Sequence, residues 1–198
     1  MTDTQKKPLW KNELVWLFLI TSGLFAILYS KFILGGYAYV FTDTGADTMQ
    51  INYAQYGLFS SLFRSGESGY VLQAGLGMDV SSYYPAYLIP YNLLILLAPQ
   101  RLLPWAVLAS AYLKMITISL VGYLFYRKLM QDGIGTMAAA LAWTFSGYVI
   151  LWGQHYGFCT CMALFTVFMY FLQCYLNGEQ RWKSAGLVLT VTMLLISS

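Results

Sequence analysis

Charge is what this chain has least of. Only 10% of its 198 residues are charged, against about 25% in an average soluble domain. That excludes an ordinary soluble globular domain. Histidine occurs once, at His155, and cysteine three times, at Cys159, Cys161 and Cys174. All three cysteines lie in one apolar run, and their spacing matches no zinc or redox pattern. They read as small buried apolar residues. The net charge is +3, but the lysines and arginines are scattered through short loops. A nucleic-acid-binding patch is thereby excluded, and the basic residues read as topology signals. No internal repeat is visible.

What is abundant is apolar surface. Apolar residues make up 59% of the chain, and they recur in long runs. The fold class that follows is all-α, a polytopic transmembrane helical bundle. Residues 1–13, "MTDTQKKPLWKNE", form a basic N-terminus that is expected to be cytoplasmic. The apolar run after it is too long for a signal peptide and lacks a small-residue cleavage site, so it reads as a retained span. Residues 14–198 form the transmembrane domain. Complete spans are expected at about 14–34, 104–126, 134–152 and 157–176, with a fifth, truncated one from about 184. At about 1.5 Å per residue, each of the four can cross a hydrocarbon core about 30 Å thick. The last run stops after about 15 residues, short of the roughly 20 a span needs. The chain therefore reads as the N-terminal part of a longer protein, expected to be inactive alone.

Segment 83–98 is apolar but short, and Pro85 and Pro90 interrupt its helix ladder. Lys6, Lys7 and Lys11 precede the first span, Arg127 and Lys128 follow the second, and Arg181 and Lys183 precede the fifth. All seven fall on the cytoplasmic side only if 83–98 does not cross. It is expected to be re-entrant or interfacial. Residues 35–103 then form one external loop holding four of the eight acids, Asp43, Asp47, Glu67 and Asp79.

Within that loop, Met49, Tyr53, Tyr56, Phe59, Leu62 and Phe63 recur at helical spacing. They predict an amphipathic helix over 46–63 on the membrane surface, with its tyrosines at headgroup depth. Asp47 opens that helix, where a carboxylate complements the dipole. Asp43 lies in a turn-like "FTDTG". One reading makes Asp47 a helix cap and Asp43 a solvated turn residue. The other makes them a general base toward a hydroxyl, or ligands of a divalent cation beside a phosphate. Lys114 lies near the middle of the second span, where a charge costs roughly 2.5–3.5 kcal/mol on insertion scales. It needs a partner in the bundle or an anionic ligand. His155 sits in the short external link "GQHYG".

Three stretches together resemble a known family. They are "FTDTGADTMQINYAQY" at 41–56, "YYPAYLIPYNLLILLAP" with the following "LLPWAVLASAYLKMITISLVGYLFYRKL" over 83–129, and "LAWTFSGYVILWGQHYGFCTCMALFTVFMYFLQCYLNGEQR" over 141–181. In order and spacing they resemble YfhO-type bacterial membrane proteins, within the GT-C-like polyprenyl-phosphate-dependent glycosyltransferases. The resemblance implies a GT-C-like bundle in the bacterial cell membrane. It implies transfer of a sugar from a polyprenyl-phosphate carrier to an envelope polymer such as lipoteichoic acid, on the outer face. The carboxylate of the first external loop, Asp43 or Asp47, would be catalytic. Tyr53 and Tyr56 would line the substrate groove, and Arg101, Lys114 and His155 would contact donor or acceptor. Arg101, Lys114 or a metal would stabilise the leaving phosphate, and a single displacement would invert the anomeric centre. Family members often carry an asparagine near the external tryptophan, where this chain has "GQHYG". Two other functions share these features. One is a transporter or flippase for a lipid-linked envelope precursor, which Lys114 and the proline-broken segment also suit. The other is a non-catalytic scaffold of envelope assembly.

Overall fold

The computed structural model describes residues 12–41, 48–67, 69–72, 77–79, 81, 89–130, 132–179 and 181–197. Helix α1 spans Glu13–Leu28 and opens where the Asn12 side chain accepts a hydrogen bond from the Leu14 amide at 3.1 Å. A short α2, Ser30–Leu34, follows. A π-helical turn at Thr48–Tyr53 leads into α3, Ala54–Ser65, which ends at Gly66 in the left-handed region that glycine adopts without steric cost. Strands β1 (Tyr70–Val71) and β2 (Met78–Asp79) pair antiparallel, Tyr70 opposite Asp79. Helix α4, Pro90–Leu97, and helix α5, Leu103–Leu129, each begin with proline in the first turn, where its missing N–H has no partner to lose. Helix α6, Gly133–Thr144, is capped by the Asp132 carboxylate, which accepts from the Ile134 and Gly135 amides. Then come α7, Gly147–Trp152, α8, Tyr156–Leu176, and α9, Arg181–Ser197.

Among the described residues three helical stretches are long and apolar enough to cross a membrane: Gln100–Leu129, Gly133–Trp152 and Tyr156–Leu176. The first expected span, 14–34, differs. Its helix stops at Leu28 after 16 residues, about 24 Å. Tyr29 leaves helical geometry there, and its ring stacks on Phe25 at 4.3 Å within a buried aromatic cluster. The run 134–152 is also interrupted, because Ser146 takes an extended conformation between α6 and α7. A Ser–Gly pair is a common place for a helix to break.

Helices α5 and α8 form the centre of the bundle, with α6 and α1 packed on α5 and α9 on α8. α1 lies antiparallel to α5. Glu13 accepts from the Tyr123 hydroxyl at one end, Thr21 and Ser119 hydroxyls meet at 2.7 Å, and Ser22 meets Tyr112 at 2.8 Å further along. α8 runs parallel to α5, since Lys114 meets Tyr156 near the start of α8 and Gly122 faces Thr166 deeper down. At the lower end, Glu179 pairs with both Lys128 and Lys183. The upper end, where α5 and α8 begin, holds the larger buried cluster.

The amphipathic stripe over 46–63 is where expectation and structure differ most. Phe59, Tyr56 and Leu62 are buried against α4 and the core, while Met49 and Phe63 are exposed. Ser60 donates to the Ala98 carbonyl at 2.6 Å, and Gln100 donates to the Gly57 carbonyl. α3 thus packs on protein, and the ring of Tyr56 is not laid out at a membrane surface. The reason is that α4 presents its own apolar face, Ile95 and Leu96, at the same level.

Candidate functional site: a tyrosine cluster over the start of α8

Lys114 lies about three turns into α5, roughly 16 Å from its start. Its ammonium donates to the carbonyl of Tyr156, the first residue of α8, at 3.2 Å. α8 therefore starts deep beside α5. The space above it is filled by residues 37–41, the turn at Thr48, α3 and α4.

Three buried tyrosines join these pieces. Tyr156 donates its hydroxyl to the Tyr39 carbonyl, and Tyr39 donates its own hydroxyl to the Gly153 carbonyl at 3.2 Å. Tyr56 stacks on Tyr156, with ring centroids 5.3 Å apart and planes 14° from parallel, and donates to Asn92 Oδ1 at 3.3 Å. Tyr39 is 2% exposed. Burial pushes its phenol well above the usual range, so the hydroxyl stays a donor at any physiological pH. Thr48 completes the arrangement by donating its hydroxyl to the Gln154 carbonyl at 3.2 Å. Tyr39 and Thr48 stand on either side of residues 42–47. Both are therefore tied to the same short link, Gly153–Tyr156.

Asp43 and Asp47, the expected catalytic carboxylates, lie outside the described residues, as do residues 83–88 of segment 83–98. Tyr56 belongs to the cluster. Tyr53 is half-buried and packs against it, with its phenol raised by burial. Lys114 forms the floor. It is 2% exposed, and it donates a hydrogen bond to Tyr156. His155 is part of the link, at the position just before α8. Its ring sits against Trp152 and edge-on to Phe158, each 5.7 Å away. Arg101 is exposed in the turn Gln100–Leu102 and makes no hydrogen bond with the cluster. Asp79 is exposed. It accepts from the Ser81 hydroxyl and amide, which hold its carboxyl below the usual carboxylate range. Among the described residues no three histidine, cysteine or carboxylate side chains converge as metal ligands.

Tyr39, Tyr156, Asn92 and Thr48 are cluster members that sequence reasoning missed. One signal was present. In "GGYAYVF" aromatic residues alternate, and Tyr37 is exposed while Tyr39 is buried, the period of an extended segment with one packed face. Nothing in the sequence pointed to Tyr156 or Asn92.

The fold defines a predominantly helical protein, with three helices among the described residues long and apolar enough to cross a membrane. Comparison with protein-family models, with curated proteins and with solved structures finds no match.

Proposed function

We propose that this chain belongs to a membrane glycosyltransferase that moves a sugar from a polyprenyl-phosphate carrier to a cell-envelope polymer. The observation that carries the reading is the tethering of both flanks of residues 42–47 to the link Gly153–Tyr156. An acidic stretch held at both ends is what a positioned general base requires, because catalysis demands a fixed approach to the acceptor hydroxyl. Asp43 or Asp47 takes the acceptor proton as the acceptor oxygen attacks the anomeric carbon. The lipid phosphate leaves with the electron pair of the broken bond, and the anomeric centre inverts. The leaving charge is met at headgroup height by an exposed cation such as Arg101. Lys114, beneath the tyrosines, donates to the Tyr156 carbonyl at the start of α8 and adds positive potential from below. In this reading the upper end of the bundle faces the outside of a bacterial cell and the N-terminus is cytoplasmic.

The test uses the complete protein in its host. Asp43→Asn and Asp47→Asn are made singly, membrane levels are matched, and sugar on the envelope polymers is measured. Loss of sugar from at least one variant at normal protein level supports the transferase. Full sugar in both sinks it.

A further inference from the structure

Lys31 is a cation on the wrong side of the charge pattern. Arg127, Lys128 and Lys183 gather at the lower end of the bundle, beside Glu179. Lys31 stands at the other end, in α2. Glu13 marks the lower end of α1 through Tyr123. α1 rises about 24 Å from Glu13 to Leu28, most of the thickness of a hydrocarbon core, and Lys31 follows beyond the break at Tyr29. At the same level α5 begins, with Trp105 half exposed, as in an aromatic belt.

Lys31 is exposed and opens into a basin of about 450 Å³ lined by Lys31, Phe32, Tyr37, Ala38 and Val40. The basin exists because residues 39–41 fold back along α2. The ring of Phe32 meets Tyr39 at 5.1 Å and Phe41 at 5.8 Å beside the basin. Tyr37, 68% exposed, stands at its rim. Among the described residues no carboxylate lies within ion-pair distance of Lys31. An open basin with aromatic walls and an ammonium that meets no carboxylate among the described residues, which the membrane reading puts at headgroup depth, is complementary to a phosphate carried on a hydrocarbon tail. Lysine suits phosphate as a compact point charge.

We infer that this basin binds the phosphate of a membrane lipid headgroup, with Lys31 as its cation and the tail running down the apolar side of α1. The inference rests on the membrane reading. It deepens the transferase reading by placing a lipid phosphate on the segment that leads directly into residues 42–47.

The experiment uses the purified full chain in detergent, with dioctanoyl phosphatidic acid as probe and binding followed by calorimetry. Dioctanoylglycerol supplies the tail without phosphate, and inorganic phosphate supplies the anion without a tail. Wild type is expected to bind the phosphatidic acid at least tenfold more tightly than either control. Lys31→Gln is expected to weaken that binding about fivefold, and Lys31→Arg to keep it. Lys31 is exposed, so all three proteins should elute alike on gel filtration. Equal binding by wild type and Lys31→Gln overturns the proposal, because a lysine that merely reaches for water would not select the headgroup. Equal binding of dioctanoylglycerol reduces the basin to a greasy contact and also overturns it. Equal binding of inorganic phosphate makes the ligand a free anion and overturns the lipid assignment. Asp43→Asn and Asp47→Asn are expected to bind the probe as wild type does. If those two variants keep sugar transfer, the transferase reading fails and the lipid site stands.

Discussion

Replacing Tyr156 by phenylalanine removes one oxygen from the centre of the tyrosine cluster and nothing else. The ring keeps its stack on Tyr56, and the main-chain carbonyl keeps the Lys114 ammonium and the Thr160 hydroxyl at 3.0 Å. What is lost is the bond from the Tyr156 hydroxyl to the Tyr39 carbonyl. That carbonyl belongs to a residue 2% exposed, so water cannot readily replace the donor. Leaving a buried acceptor unsatisfied costs about 1–3 kcal/mol. For a chain of this length each kcal/mol lowers Tm by roughly 2–4 °C. The assay is thermal unfolding of the purified chain in detergent. The expected result is a fall of at least 2 °C for Tyr156→Phe. A double-mutant cycle then asks whether the two flanks of residues 42–47 act as one unit. Thr48→Val removes the hydroxyl that binds the Gln154 carbonyl, two residues before Tyr156. If both bonds hold one body, the two losses are non-additive by about 0.5 kcal/mol or more. A Tyr156→Phe protein with unchanged Tm would refute the claim that this bond secures the segment. Strict additivity would refute the common anchor.

Three other outcomes follow from the packing. At Gly122 an added methyl group would meet Thr166 and Trp143 at 3.7 Å, ordinary contact distance, beside a cavity of about 150 Å³; Gly122→Ala should raise stability by about 0.5–1 kcal/mol, and a lower Tm would show that the helices there cannot accept the methyl. Lys128 and Lys183 hold the Glu179 carboxyl down to about 2 from an ordinary 4.5. A depressed carboxyl adds stability above its unfolded pKa and loses it as pH falls toward its folded one, so Glu179→Gln should flatten the Tm-versus-pH curve between 4.5 and about 2, and parallel curves would contradict the pairing. Lys114→Met gives up a charged hydrogen bond of about 1.5–3 kcal/mol and recovers an insertion cost of roughly 2.5–3.5 kcal/mol; its Tm should hold or rise, and a large fall would mean that the ammonium meets more than the Tyr156 carbonyl.

Parts of the fold were legible for simple reasons. The runs that became Gln100–Leu129 and Tyr156–Leu176 are long, Lys114 is the single charge within 104–126 and 156–176, and their ends carry proline or polar links. Asn12, Asp132 and Gly66 cap helices in the structure, residue types suited to caps that sequence reading left unused. The break at Tyr29 was not legible, because "FAILYSKFIL" carries no proline or glycine to mark it and the Tyr29 ring leaves the helix for tertiary partners. The stripe of Tyr56, Phe59 and Leu62 was legible as a stripe. Its destination was not, since an apolar face looks the same whether lipid or α4 covers it. Lys31 was absorbed into the first span for the same reason.

The sequence alone determined the class of this molecule. Scarce charge and long apolar runs leave helices fit for a membrane as the economical way to satisfy the backbone. Only the tertiary structure decided which polar groups meet. Tyr39 finds Gly153 and Tyr156, and Thr48 finds Gln154, across more than a hundred residues of chain. Helices apolar on every side carry no periodic mark of the face that packs. The partners are set instead by how deep α8 starts beside α5, and the carbonyl that Lys114 holds there records that depth.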